Sequence, residues 1–275
     1  MKHIKKIVLF TLSNICSLLA NDSITANYGG YLAIAQEASK NPSIFEKFRT
    51  FPEYRCALEI DEGETFAQYI RFKLFKLGPY LEECRKLDSI GSPPLTNYQE
   101  LGDFTPTTLR YIFHADQILK YFNLPDNATV VEIGAGFGGQ AHVLQTLHSC
   151  IKYYIFDLPE VEALISVMMN RLNWRNVCCL QLNEILPEEK VDLLISNYAY
   201  SECDREMQLS YFDRVIKKAD RGYMIYNQIA AGYGIDSISI SEFINLLKQN
   251  GFRPRVYKEF FAGAGNSLIL WDKSK

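Results

Sequence analysis

A glycine-rich loop between a predicted strand and a predicted helix constrains the fold more than any other feature of this sequence. Residues 129–133 form a mostly apolar run that predicts a strand, residues 134–139 read GAGFGG, and residues 140–147 have the pattern of a helix. Glycines permit a tight turn and let a ligand approach the backbone closely. The free N–H groups at the start of the helix attract anionic atoms. The sequence therefore predicts a ligand-binding unit of strand, loop and helix.

Short apolar strands alternate with longer helices after this unit. The further predicted strands and helices are residues 153–156, 159–172, 177–182, 193–196, 207–218 and 223–226. Such alternation is typical of a parallel sheet with helices on both faces. Near the end, Ser239 and Glu242 have capping-box spacing at the start of another helix. Residues 253–258 and 267–271 follow as two strands with no helix between them, so they should pair as an antiparallel hairpin.

Residues 1–103 have a different pattern from residues 104–275. The first stretch shows helical periodicity, as in residues 64–77, and turn signals, but little strand alternation. Thr105 and Pro106 mark the start of a helix, because threonine is a good N-cap and proline suits the first helical position. We therefore expect a helical N-terminal cap or substrate region over residues 1–103 and a sheet domain over residues 104–275.

Composition excludes several classes of protein. The chain has 275 residues, of which 48% are hydrophobic and 22% charged, unlike a disordered, collagen-like or coiled-coil chain. Its net charge of −3 predicts no nucleic-acid partner. The seven cysteines lack zinc-site spacing and are expected to be reduced thiols of a cytoplasmic protein. No metal is expected either, because Asp204 near Glu202 is the nearest approach to a ligand set.

Residues 7–20 form an apolar run behind three lysines, and two interpretations of it stay open. A signal peptide would export the protein, whereas an amphipathic N-terminal helix would leave it in the cytoplasm. Asn14 interrupts the run and Leu18 stands where cleavage requires a small residue, so the helix is preferred. Fourteen residues are too few to cross a bilayer, and no membrane span is expected.

Two acids flank the glycine loop. Glu132 lies two residues before Gly134, and Asp157 ends the next predicted strand, where a carboxylate can accept both hydroxyls of a ribose. Gly134, Gly136 and Gly139 also match the dinucleotide fingerprint, so NAD must be considered. Glu132 argues against NAD because its charge would lie beside a pyrophosphate. S-adenosylmethionine has an ammonium, a sulfonium and a ribose but no phosphate, and it suits both acids. The structural alternative is a solvated Glu132 and a helix-capping Asp157.

With these residues the sequence resembles the class I S-adenosylmethionine-dependent methyltransferases over residues 105–275. The resemblance rests on the pattern E-x-G-x-G-x-G at residues 132–138, on Asp157 and on the final predicted hairpin. More specifically, the chain is similar to the sugar O-methyltransferases of bacterial surface-polysaccharide gene clusters. The segments that carry this similarity are residues 21–23, 28–31, 107–111, 136–140, 157–161, 196–202 and 221–227.

The resemblance implies a doubly wound α/β fold with a mostly parallel seven-stranded sheet and a C-terminal antiparallel hairpin. It implies a cytoplasmic enzyme that transfers a methyl group from S-adenosylmethionine to a sugar hydroxyl of a surface-polysaccharide or glycan precursor. The residues expected to bind the cofactor are Glu132, Gly134, Ala135, Gly136, Gly138, Gln140, Asp157, Leu158, Asn183 and Asn197.

The acceptor should bind at the carboxyl ends of the strands, where residues 197–202 read NYAYSE. Their polar groups and aromatic faces suit a sugar ring, and the absence of a proline pair after Asn197 argues against a DNA adenine methyltransferase. A sugar hydroxyl needs a general base, for which Glu202 and His114 are the candidates, with Tyr198 as a third catalytic residue. The alternatives are that Tyr198 packs in the core, that Glu202 stabilises a first helical turn, and that His114 is a solvated surface residue.

Three other functions stay open at this stage. The chain could be an NAD-dependent oxidoreductase, a non-catalytic methyltransferase-like protein that binds a partner through its N-terminal helices, or a methyltransferase of phenols or proteins. The expected partner is a small-molecule or glycan acceptor, and a homo-oligomer is compatible with the sequence. Further candidates for the pocket are Tyr28, Arg110, Asn227 and Gln228.

Overall fold

A computed structural model describes residues 29–149, 151–187, 190–259 and 265–273. The apolar run at residues 7–20 and the candidate Tyr28 lie outside the described residues, so both interpretations of the run remain expectations. None of the described helices has the length and apolarity that a membrane crossing requires.

Short helices make up the first part of the described chain. In order they are α1 (Gly29–Lys40), α2 (Pro42–Phe45), α3 (Pro52–Leu58), α4 (Glu64–Phe72), α5 (Leu74–Leu77) and α6 (Leu81–Arg85), with 3-10 turns at Phe48–Thr50, Gly78–Tyr80 and Lys86–Ser89. The prediction of one helix over residues 64–77 was wrong, because the backbone leaves the helical conformation at Lys73. The amines of Lys73 and Lys76 both bind the buried carboxylate of Asp116, which fixes the interrupted geometry.

A small antiparallel sheet corrects the expectation of little strand structure before residue 104. Its strands are β1 (Thr96–Tyr98) and β2 (Gly102–Phe104). The Asn97 side-chain amide donates to Asp103 across the pair at 2.7 Å. Strands of three residues are too short to produce a visible alternation of apolar and polar side chains, which explains why the pattern did not reveal them.

The long helix α7 (Pro106–Tyr121) connects the N-terminal helices to the main sheet. Its predicted start is confirmed, since the Thr105 hydroxyl accepts the Thr108 N–H at 3.0 Å and proline occupies the first turn. Helix α7 packs against α4 on one side and, on another, against the helix that follows the glycine loop. It is therefore buried along most of its length.

The rest of the described chain forms a seven-stranded sheet with helices on both faces. Its elements are β3 (Thr129–Ile133), α8 (Gly139–Leu147), β4 (Lys152–Phe156), α9 (Pro159–Arg171), β5 (Val177–Leu180), β6 (Leu193–Asn197), α10 (Ala199–Glu202), α11 (Arg205–Arg214), β7 (Arg221–Tyr226), α12 (Ile240–Gln249), β8 (Phe252–Lys258) and β9 (Ser267–Lys273), with 3-10 turns at Ile216–Lys218 and Ala230–Tyr233. The capping box of Ser239 and Glu242 begins α12 as predicted. The helix predicted over residues 207–218 ends as an α-helix at Arg214.

The strand order across this sheet is β5-β4-β3-β6-β7-β9-β8. The first five of these strands are parallel, and β9 runs antiparallel to both β7 and β8, which confirms the predicted hairpin. The chain has the class I methyltransferase fold. The order reverses between β3 and β6, and ligands of open α/β sheets bind beside such a reversal, at the carboxyl ends of the strands.

The core consists of two layers, one on each face of the sheet. Val130 of β3 points into the layer that also contains the N-terminal helices, α7, α8 and α9. The next residue, Val131, points into the layer formed with α11 and α12, as the two-residue period of a strand requires. The N-terminal helices therefore pack on one face of the sheet and reach the carboxyl ends of its strands.

Replacing Gly222 with alanine is expected to destabilise the protein by about 3 kcal/mol or more, the upper range for overpacking a core. A Cβ at this position in β7 would lie 1.9 Å from the ring of Trp271. Trp271 belongs to the neighbouring strand β9 and is fully buried. Urea unfolding measures the effect. The control is Gly232→Ala, where a Cβ meets nothing within 4 Å. Equal unfolding midpoints for the two variants would contradict the packing described here.

Candidate functional site

A cavity of about 400 Å³ lies at the carboxyl ends of β3, β4, β6 and β7. Pockets for small molecules and cofactors commonly have this size. Each of these strands contributes polar groups to its wall, and Tyr31 of α1 and Leu58 of α3 cover it from the N-terminal region. The structure thus brings the glycine loop, both predicted acids and the segment after β6 to one place.

The glycine loop adopts a backbone that requires glycine. Gly134, Gly136 and Gly138 all have φ between +59° and +84°, in the left-handed region that side chains disfavour. A Cβ on Gly134 would lie 2.0 Å from the methyl group of Ala199, so this glycine lets the β6–α10 turn approach the loop. Gly134 and Gly136 line the cavity, whereas Gly138 faces the ring of Trp174.

Glu132 is a buried acid that faces the cavity. Only 1% of its surface is exposed, which excludes the solvated alternative, and the Tyr153 hydroxyl donates to its Oε2 at 2.9 Å. Burial raises the pKa of Glu132 to about 8, against the lowering effect of the Tyr153 hydrogen bond. No cation of the described chain pairs with this carboxylate. A cationic group on a ligand would supply the missing partner.

Asp157 connects β4 to the glycine loop. Its Oδ2 accepts the N–H groups of Ala135 at 2.7 Å and Gly136 at 3.2 Å, and its Oδ1 accepts the N–H of Leu158 at 2.8 Å. Burial raises the pKa of Asp157 to about 7, while these three N–H groups lower it. Two loop N–H groups that could bind a phosphate are therefore already bonded to a carboxylate.

The other residues expected to bind the cofactor lie in different surroundings. Asn197 lines the cavity at the end of β6, and its buried Oδ1 has no hydrogen-bond partner. Its Nδ2 donates at 3.4 Å to Gln140, which is buried behind the wall. Leu158 packs against the core and Asn183 is exposed in a turn, so neither belongs to the cavity wall. Apart from Asn197, none of these residues lines the cavity.

Tyr198, which follows β6, is held in a strained conformation. Its φ of +76° lies in the left-handed region, a conformation that costs about 1–3 kcal/mol. Its hydroxyl donates to Oε1 of Glu259 at 2.6 Å, and Oε2 of the same carboxylate accepts the Asn266 side-chain amide at 2.9 Å. Tyr198 and Asn266 both line the cavity. A strained conformation that neighbouring hydrogen bonds hold in place is typical of functional sites.

Glu259 and Asn266 are two residues of this site that the sequence analysis missed. Glu259 follows β8, and Asn266 precedes β9, so the register of the predicted hairpin places the two side by side. The predicted hairpin could have indicated that Glu259 and Asn266 lie side by side. The sequence contains no signal that connects Glu259 to Tyr198, which lies 61 residues away along the chain.

Glu202 also faces the cavity. It is the last residue of the four-residue helix α10, whose single turn makes it a first-turn acid as well, so the alternative of an acid that stabilises a first helical turn is compatible with the structure. The Asn227 side-chain amide donates to Glu202 Oε1 at 2.6 Å, and Asn227 itself is bonded to the hydroxyl of Ser201 at 3.1 Å. Burial raises the pKa of Glu202. A carboxylate held in this way can accept a proton from a group in the cavity.

His114 lies in the interior, and its description as a solvated surface residue was wrong. It is 2% exposed, its Nδ1 is 2.9 Å from the hydroxyl of Tyr223, and its Nε2 has no partner. Burial, and to a smaller extent the charge of Arg110, lowers the pKa of His114 to about 3. The neutral imidazole is not part of the cavity wall, whereas Arg110, one helical turn earlier, is. Among the described residues, no group of three metal-ligating side chains converges anywhere.

No protein-family model and no curated protein matches the sequence. A SAM dependent methyltransferase from Aquifex aeolicus is a similar solved structure, with 20% identity, a TM-score of 0.49, and coverage of 70% of this chain and 98% of that one. An rRNA methylase from Streptococcus thermophilus has 16% identity, a TM-score of 0.44, and coverage of 59% and 95%.

A third similar structure is an O-methyltransferase from neocarzinostatin biosynthesis, in complex with S-adenosylmethionine and 2-hydroxy-5-methyl naphthoic acid. It has 14% identity and a TM-score of 0.44, and the match covers 62% of this chain and 58% of that one. All three TM-scores are below 0.5, and the fold is defined instead by the strand order of the seven-stranded sheet.

Proposed function

We propose that this protein is an S-adenosylmethionine-dependent methyltransferase. The observation that carries the proposal is the pair of buried acids, Glu132 and Asp157, on either side of the glycine loop at one cavity. Glu132 has no cationic partner in the described chain and suits the ammonium of the cofactor, while Asp157 suits its ribose hydroxyls. When bound, the cofactor supplies a methyl group activated by a sulfonium, because the sulfur keeps the electron pair of the S–CH3 bond when the methyl group is transferred.

The acceptor is a hydroxyl of a sugar or glycan precursor under this proposal. The wall beyond the glycine loop carries the side-chain amides of Asn197, Asn227 and Asn266, which can donate to hydroxyl groups and accept from them. Tyr198 offers an aromatic face at the same wall. Glu202 is placed to take the proton from the acceptor hydroxyl, because Asn227 holds its carboxylate at the cavity.

Residues 1–103 act as a cap in this proposal. Tyr31, Ala57 and Leu58 belong to the cavity wall although they precede the sheet by some 70 residues or more. A cap of this kind excludes water from the reacting groups and aligns them, which is most of what an already activated methyl donor requires. A cytoplasmic location accords with the supply of the cofactor.

Two observations disfavour an NAD-dependent oxidoreductase. Strand β9 is antiparallel where the dinucleotide fold continues with a parallel strand. The N–H groups of Ala135 and Gly136 are bonded to Asp157 rather than free for a pyrophosphate. Two alternatives remain, a non-catalytic binding protein and a methyltransferase of phenols or proteins. Ligand titration and a screen of methyl acceptors distinguish them from the proposed function.

Isothermal titration with S-adenosylhomocysteine tests the proposal, with NAD as the parallel ligand. We expect a micromolar Kd for S-adenosylhomocysteine, which corresponds to a binding free energy of about −8 kcal/mol, and no binding of NAD. Transfer of a labelled methyl group is then screened on sugars, phenols and peptides. Binding of NAD alone would favour the oxidoreductase, and binding of neither ligand would favour the non-catalytic protein.

A further inference from the structure

Arg110 is the one basic side chain that lines the cavity among the described residues. The same wall contains the carboxylates of Glu132, Asp157 and Glu202. Arg110 forms an ion pair with none of them, nor with any other acid of the described chain, and its Nη2 donates only to the carbonyl of Leu58 at 3.3 Å. A cation without an anionic partner in the described chain therefore lies in the wall of a cavity whose other charged groups are acidic.

The guanidinium of Arg110 is held by two aromatic rings. Its central carbon lies 5.8 Å from the ring centroid of Tyr111 and 5.8 Å from that of Tyr198. Cation–π contacts of this kind help to hold the guanidinium in position, and its N–H donors other than the one bonded to Leu58 stay available. A fixed, planar set of donors suits the two oxygens of a carboxylate or a phosphate.

We infer that the acceptor carries a negatively charged group, a carboxylate or a phosphate, and that Arg110 binds it. This inference rests on the proposed methyltransferase function and specifies its substrate as an acidic sugar or a sugar phosphate. Arg110 lies over Tyr198, which belongs to the acceptor wall together with Asn266. The three side-chain amides of that wall are neutral and its carboxylates repel an anion, so among the described lining residues Arg110 is the group that can attract a negatively charged sugar.

Calorimetric titrations of glucose, glucuronate and glucose 1-phosphate test the inference, on protein with and without saturating S-adenosylhomocysteine. We expect at least one charged sugar to bind about tenfold more tightly than glucose, as one charge-assisted hydrogen-bonded pair provides. Arg110→Gln should remove this difference. Arg110→Lys should retain part of it, because lysine keeps the charge but loses the planar donor set. Lys120→Gln, exposed on the same helix, is the matched control and should behave like the unchanged protein.

The separate carboxylate and phosphate probes distinguish the two sources of negative charge. The inference is overturned if neither charged sugar binds more tightly than glucose, or if Arg110→Gln leaves the difference intact. It is also overturned if Arg110→Gln weakens S-adenosylhomocysteine about tenfold but leaves 5′-methylthioadenosine unchanged, because Arg110 would then bind the cofactor's carboxylate. Failure of the unchanged protein to bind S-adenosylhomocysteine would instead contradict the proposed function, and the titrations without it would still decide the role of Arg110.

Discussion

Replacing Asp157 with asparagine is expected to weaken the binding of S-adenosylhomocysteine by about 100-fold or more. A carboxylate at the end of β4 can accept both ribose hydroxyls, whereas an amide can accept only one of them and presents a competing donor to the other. Each hydrogen bond to a charged group contributes about 1.5–3 kcal/mol, so the loss of one ribose hydrogen bond and the weakening of the other account for the expected loss of affinity. Calorimetry at pH 8 measures the effect, because the pKa of Asp157 near 7 leaves the carboxylate ionised there.

Asparagine is preferred to alanine because its Oδ1 can still accept the N–H of Ala135 and preserve the loop. The matched control is Asp192→Asn. Asp192 also accepts a backbone N–H, that of Thr129 at 2.9 Å, but at the opposite end of the sheet. This variant should bind S-adenosylhomocysteine within about twofold of the unchanged protein, since it makes no contact with the cavity. Equal affinity of the Asp157 variant and the unchanged protein would remove Asp157 from the site.

The sheet and the glycine loop could be predicted because their signals are local. The bounds of β3 are those predicted from residues 129–133, and Gly134, Gly136 and Gly138, which follow it, have the positive φ values for which glycine is needed. The capping box of Ser239 and Glu242 lies within four residues. The carboxyl ends of parallel strands meet at one edge, so Glu132, Asp157 and Asn197 could be expected near one another from the strand pattern alone.

His114 could not be placed correctly because its surroundings come from distant parts of the chain. A polar face on helix α7, with Arg110, His114 and Gln117, is the usual pattern of a face in water. In this fold the N-terminal helices and strand β7 cover that face, and the partner of His114 is Tyr223, which lies 109 residues later. The contact of Tyr198 with Glu259 has the same origin. Periodicity identifies a polar face, but only the tertiary structure decides whether that face meets water or protein.

The contribution of Glu132 to the stability of the ligand-free protein is expected to fall as pH rises from about 5 to about 8, because Glu132 resists ionisation in the folded state. Burial raises the pKa of Glu132 from 4.5 to about 8, so the folded state binds a proton in this range that the unfolded state has released. The stabilisation from this group is complete below the unfolded pKa and is lost as pH rises through the folded pKa. Asp157, with a pKa near 7, adds to the effect in the same direction.

Glu132→Gln should remove the part of this pH dependence that belongs to Glu132. The glutamine Oε1 can still accept the Tyr153 hydroxyl, and no charge then has to be buried. We expect the variant to match the unchanged protein near pH 5 and to exceed its free energy of unfolding by about 2–4 kcal/mol at pH 8. Urea unfolding at pH 5, 6, 7 and 8 measures this difference. Glu206→Gln, at an exposed position without a role in the cavity, should show no such dependence.

The same variant is expected to lose binding of S-adenosylhomocysteine, because glutamine cannot pair with an ammonium as a carboxylate does. A residue that lowers stability yet is needed for binding is typical of a site where function and stability conflict. At pH 8 the ligand should therefore raise the melting temperature of the unchanged protein and leave that of Glu132→Gln nearly unchanged. If Glu132→Gln instead lowers stability equally at every pH and still binds the ligand, Glu132 serves only as the hydrogen-bond acceptor of Tyr153, and the cation-binding role proposed for it is wrong.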